Sequence, residues 1–141
     1  MAKRKVTKRR LRSPRLVIST DYEDAALTFF HVVAMGLDAT LQDAKVKDVK
    51  LRRRIVDDFL FEFADFLDEQ WLEDSDGKRY FPILCFSEQH PDDDPKTIGY
   101  APNQAYHECM PGLFDEATNK GKGPYTVKIG YVGDDEPLEL D

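Results

Sequence analysis

The stretch RRRIVDDFLFEFADFLDEQW, residues 52–71, decides the fold. Val56, Phe59, Leu60, Phe63, Phe66 and Leu67 recur at helical spacing and form one apolar stripe. Asp58, Glu62, Asp65, Asp68 and Glu69 occupy the opposite face. The pattern predicts an amphipathic helix from Arg52 to about Trp71, with Thr40 and Asp48 as candidate caps upstream.

A second helix precedes it. Thr20-Asp21-Tyr22-Glu23 has the spacing of a capping box, with Thr20 capping and Glu23 reaching back. Tyr22, Ala26, Phe29, Val33 and Leu37 then share one face, and Gly36 is a candidate end. Leu16-Val17-Ile18, just before, reads as a short strand or as the lead-in to this helix.

Beyond Trp71 the period changes. Asp76-Gly77 signals a turn. Residues 80–86 are aromatic and β-branched enough for a strand, with Pro82 confining it to an edge or an end. Residues 87–102 carry Pro91, Pro95, Gly99, Pro102 and three consecutive acids, which predicts a long loop. Asn103 is placed to cap a short helix running to Met110, and a further helical turn fits 113–117. Tyr125, Val127, Ile129 and Tyr131 alternate as in a half-buried antiparallel strand. The expected fold is therefore α+β: two amphipathic N-terminal helices on a small antiparallel sheet, with a short third helix.

The charge is divided unevenly. Net charge is −7 over 141 residues, with 20 Lys and Arg against 27 Asp and Glu. Residues 1–15 hold eight bases and no acid, leaving 12 bases and 27 acids, a net of −15, on the rest. Three segments follow: a disordered basic arm at 1–14, one globular domain at 15–133 and an acidic flexible tail at 134–141.

Several classes do not fit. Two cysteines do not make a disulfide scaffold, and 16 aromatic residues do not suit a disordered chain. No unbroken apolar run approaches the ~18 residues of a membrane span, and Leu16-Val17-Ile18 is too short for a secretory signal. The expectation is a cytoplasmic protein with no membrane partner and both thiols reduced.

The arm residues Lys3, Arg4, Lys5, Lys8, Arg9, Arg10 and Arg12 suit contact with nucleic acid or another polyanion through phosphates; no aromatics interleave to stack bases. The blander account is a solubility tail, or an arm paired with the protein's own acids. On the second helix, Glu62–Asp65, Asp65–Asp68 and Asp65–Glu69 are like-charge neighbours, each costing roughly 0.2–0.5 kcal/mol. Phe61 stands among them, far from the apolar stripe. Phe61, Glu62, Asp65, Asp68 and Glu69 therefore form a candidate surface for a basic protein partner or for self-association, against the plainer reading of a solvated face.

His31 reads as an ordinary surface histidine. Cys85, His90, His107 and Cys109 are the soft-ligand set, but Cys85-x₄-His90 and His107-x-Cys109 are not zinc spacings, and no metal is assigned. Asp74-Ser75-Asp76-Gly77 fails as a calcium loop because Leu72 and Ile83 fall where oxygen ligands are required. No phosphate-binding, dinucleotide, nucleophile-elbow or zinc-protease motif occurs, and no cofactor is called for. The function expected is thus non-enzymatic binding or regulation. One alternative is an acidic inhibitor masking a basic nuclease-like target. Another is a small enzyme using the 87–110 region, with His90, His107, Glu108 and Cys109.

Overall fold

The computed structural model describes residues 13–102, 105–118 and 127–139. In chain order the elements are β1 (Arg15–Ile18), α1 (Asp21–Asp43), α2 (Val49–Glu69), β2 (Leu72–Glu73), β3 (Arg79–Tyr80), β4 (Thr97–Tyr100) and α3 (Leu113–Thr118). Short 3-10 turns lie at Pro91–Asp93 and Tyr106–Cys109. Helix and sheet are mixed, as an α+β fold requires.

The two long helices start and stop for identifiable reasons. The capping box expected at Thr20 does not form. Thr20 already has helical backbone angles, so its hydroxyl cannot reach the first free N–H groups; Ser19 Oγ instead accepts from the Asp21 N–H at 3.2 Å. α1 runs through Gly36, at a cost of about 1 kcal/mol relative to alanine. It ends in a left-handed Lys45 (φ 68°), where the Val46 N–H returns to Leu41 O and the Lys45 N–H to Gln42 O. Asp48, not Thr40, caps α2, accepting from the N–H groups of Lys50 and Leu51. α2 ends two residues before the expected Trp71, where Gln70 turns extended.

The faces these helices bury are rotated from the expected stripes. On α1 the fully buried line is Ala26, Phe30 and Ala34, continued by Asp38. On α2 it is Val56, Leu60 and Ala64, continued by Asp68, whose side chain is 1% exposed. Both lines follow i,i+4 spacing, and such ridges fit into one another's grooves. Alanines at 26, 34 and 64 let the backbones approach, which draws the contact toward them and away from bulkier neighbours. Phe59, on the expected stripe, is consequently 47% exposed. The helices run antiparallel: Asp38 late in α1 meets Arg52 early in α2, while Phe29 and Phe30 meet Phe63.

Tyr106, Met110, Leu113 and Phe114 close the core from the C-terminal side. The Phe30 ring lies 5.4 Å from that of Tyr106 and 6.1 Å from that of Phe63. His31 is not a surface residue. It is buried between α1 and α3, with Nδ1 2.7 Å from Leu27 O and Nε2 3.3 Å from a Glu116 carboxylate oxygen.

The sheet differs from expectation. Leu16-Val17-Ile18 does form a strand, but β1 pairs in parallel with β4, Arg15 opposite Thr97 and Ile18 opposite Tyr100. β4 lies inside the segment expected to be loop. Phe86 joins its other edge antiparallel, exchanging both backbone hydrogen bonds with Gly99. Gly99 has no room for a side chain, because a Cβ there would collide with the Tyr22 ring. Among the described residues the antiparallel sheet is the two-residue ladder β2–β3 around Gly77, so the expected strand over 80–86 reduces to its first residue and a bridge at Phe86. Tyr125 falls outside the described residues, and 127–131 carries no strand.

α1 is long and apolar enough to cross a membrane by length and composition, although no unbroken apolar run of ~18 residues lies within it. Its buried ridge is packed on α2.

The rotation of α2 is directly testable. Leu60→Ala should cost about 3 kcal/mol or more in urea unfolding, as for a fully buried leucine. Phe59→Ala should cost clearly less, and equal losses would contradict the packing described.

Candidate functional site

The C-terminal half of α2 gathers more chemistry than any other part of the described structure. The Val56–Leu60–Ala64 ridge carries Asp68 inward as its next i,i+4 member. Phe61, Asp65 and Glu69 lie on the adjoining line, and Glu62 beside them faces solvent. The 3-10 turn Tyr106–Cys109 packs against this half of the helix and delivers His107.

Asp68 and His107 form the centre. One carboxylate oxygen of Asp68, Oδ2, accepts both the backbone N–H of His107 (2.9 Å) and its ring Nδ1 (2.7 Å). The other oxygen, Oδ1, is buried with no donor among the described residues. The edge of the Phe61 ring meets the His107 ring, centroids 5.9 Å apart and planes nearly perpendicular. The imidazole is thus fixed by a hydrogen bond at one nitrogen and by an aromatic contact. The Asp68 hydrogen bond raises the His107 pKa above its ordinary value, and the charges of Asp68, Glu69 and Glu108 reinforce this.

Nothing basic lies in the last turn of α2, although Asp68 and Glu69 stand there at the negative end of the helix dipole. Among the described residues no Lys or Arg pairs with Glu62, Asp65 or Glu69; Asp65 Oδ2 accepts only from Gln70 Nε2, at 3.0 Å. Next to these acids a cavity of about 470 Å³ is walled by Leu67, Phe81, Pro82, Ile83 and Tyr100, with Asp68 and Glu69 also lining it. Phe81 and Ile83 are largely exposed.

The expected residues are thus sorted. Phe61, Asp65, Asp68 and Glu69 come together, and His107 joins them from the soft-ligand set. Asp68 is turned into the protein, not out toward a partner. Cys85, His90 and Cys109 do not converge with His107 on a metal: His90 Nδ1 accepts locally from the Asp92 N–H, and both thiols are free. Burial raises the pKa of both thiols, and nearby Glu108 and Asp68 raise Cys109 further, so neither is poised as a thiolate. Asp74 is committed to its own turn, accepting from the N–H groups of Asp76 and Lys78. The donor atoms that do approach one another, within 4.8 Å, belong to Asp65, Glu69 and His107. The basic arm residues Lys3, Arg4, Lys5, Lys8, Arg9, Arg10 and Arg12 lie outside the described residues.

The partnership of Asp68 with His107 escaped sequence reading because 39 residues separate them. The available hint was Phe61, an aromatic that the apolar stripe does not claim. Compared with protein-family models, curated proteins and solved structures, the chain matches none.

The raised His107 pKa carries a stability consequence. The protonated ring is favoured in the folded state, so its contribution is fully present below the unfolded value of about 6.5 and is lost as pH rises through the higher folded value. Urea midpoints should fall across that window, and Asp68→Asn should flatten the fall. A wild-type profile indistinguishable from that of the variant would contradict the pairing.

Proposed function

We propose that this chain is a binding protein whose α2 acidic face docks a basic segment of a partner protein. A Lys or Arg of the partner meets Glu62, Asp65 and Glu69, and a neighbouring apolar side chain lies against Phe81, Ile83 and Tyr100. What supports this is a juxtaposition: exposed Glu62 and Glu69 and half-buried Asp65, without basic partners among the described residues, stand beside an open apolar cavity. Like-charge neighbours on a helix are unfavourable alone and become favourable opposite a basic surface. Apolar walls add area that pure charge attraction lacks.

The basic arm supplies the second half of the proposal, contact with nucleic acid or another polyanion. It is carried by the sequence: seven Lys and Arg within residues 3–12 and no acid. The net −15 of residues 16–141 favours a variant of the same docking chemistry, in which the body masks a basic nuclease-like site.

Two binding assays separate the halves. A labelled peptide alternating Arg and Leu should bind the full chain, and Glu62→Gln/Asp65→Asn/Glu69→Gln should weaken it at least tenfold, whereas unchanged affinity would reject the docking face. Duplex DNA should bind through the arm with a log–log salt slope up to about −6 for seven phosphate contacts. Deleting residues 1–14 should abolish DNA binding while sparing the peptide; a flat salt profile would reject the arm's role.

A further inference from the structure

We propose that Asp65, Glu69 and His107 form a binding site for a divalent first-row transition ion, with Asp68 as the residue that orients its histidine. This goes beyond peptide docking and does not depend on it.

The geometry comes from two elements. Asp65 and Glu69 are i,i+4 neighbours on α2 and project along one line of the helix. His107 arrives from the 3-10 turn, and one donor atom from each residue lies within 4.8 Å of the others. Bond lengths of about 2.0–2.2 Å to zinc place tetrahedral ligands roughly 3.4 Å apart. Closing onto an ion thus asks for movements of about an ångström, which exposed Glu69 and half-buried Asp65 can make.

Asp68 is the independent observation. Its side chain is 1% exposed and belongs to the buried ridge, not to the exposed acidic face. It engages His107 at Nδ1, which leaves the lone pair on Nε2 for a ligand. Metal-bound histidines characteristically donate their other ring N–H to a carboxylate in this way, which fixes the tautomer and raises the basicity of the ligating nitrogen. Asp68 also retains a buried oxygen with no donor among the described residues, so this end of the helix carries more negative charge than those residues offset. The helix C-terminus, with no basic residue in its last turn, adds to that field.

The donor set selects the ion. One imidazole nitrogen and two carboxylates suit zinc, manganese or cobalt, whereas calcium requires six to eight oxygens. Three protein ligands leave a position for water, so the site is open in the coordination sense.

Zinc chloride titrated calorimetrically into untagged, chelator-treated full-length protein tests the site. Saturable one-to-one binding is expected, with millimolar magnesium failing to compete. Asp65→Asn/Glu69→Gln, a conservative surface pair that leaves the core intact, should lower affinity at least tenfold. Asp68→Asn should lower it about 10–100-fold without removing a ligand. Cys85→Ser/Cys109→Ser should leave it unchanged, and far-UV circular dichroism reports that each variant is folded. Absence of saturable zinc binding, unchanged affinity in Asp65→Asn/Glu69→Gln, or loss of binding in the cysteine variant would overturn the assignment.

Discussion

A carboxylate withdrawn from water at the end of a helix ridge sets the terms for the rest of this structure. The Asp68 side chain is 1% exposed, and a buried charge is tolerated only with strong hydrogen-bond partners. Both donors to its Oδ2 come from one residue, His107. That pair of hydrogen bonds, from backbone and ring, anchors the Tyr106–Cys109 turn on α2. The same turn brings Tyr106 onto Phe30 and is followed by Met110, Leu113 and Phe114, which complete the core. The α1 ridge closes in a similar way. Asp38 takes Arg52 at 2.7 Å and Gln42 at 2.7 Å, and Arg52 also binds the carbonyls of Val46 and Lys47 in the interhelical loop. Each ridge of the helical hairpin therefore runs from small and apolar residues to an acid with a defined partner.

The two ends differ in what is left over. Asp38 is satisfied at both oxygens by Arg52 and Gln42. Asp68 keeps one oxygen without a donor among the described residues, and three further acids stand near it with no base in the last helical turn. Stability alone would favour neutralising that end. An unbalanced negative cluster, a fixed imidazole and an adjoining apolar cavity support both proposed ligands, a basic peptide and a free cation.

The sequence made the helices legible and their rotation illegible. The apolar spacing of Val56, Leu60, Phe63 and Leu67 identifies α2 in isolation, because it depends only on helical period. Which side faces α1 depends on how closely two backbones approach, and Ala26, Ala34 and Ala64 decide that only when paired. Asp68 falls on the acidic face of an isolated helix for this reason, whereas His31 is covered by α3 through Glu116. The β1–β4 pairing was hidden differently: parallel partners need a long crossover, and Thr97–Tyr100 sits in a Pro- and Gly-rich segment that resembles loop. Of the candidate site, the acidic line with Phe61 was readable, since an aromatic among acids is anomalous on a solvated helix. Its histidine was not, because no local spacing links residues 68 and 107.

The most direct test of this account is the ¹⁵N spectrum of the His107 imidazole followed across pH. The bond to Asp68 predicts that the neutral ring carries its proton on Nδ1 and that its titration midpoint lies above that of an unfolded-chain histidine. A neutral ring protonated on Nε2, titrating at the unfolded value, would show that Asp68 does not hold His107.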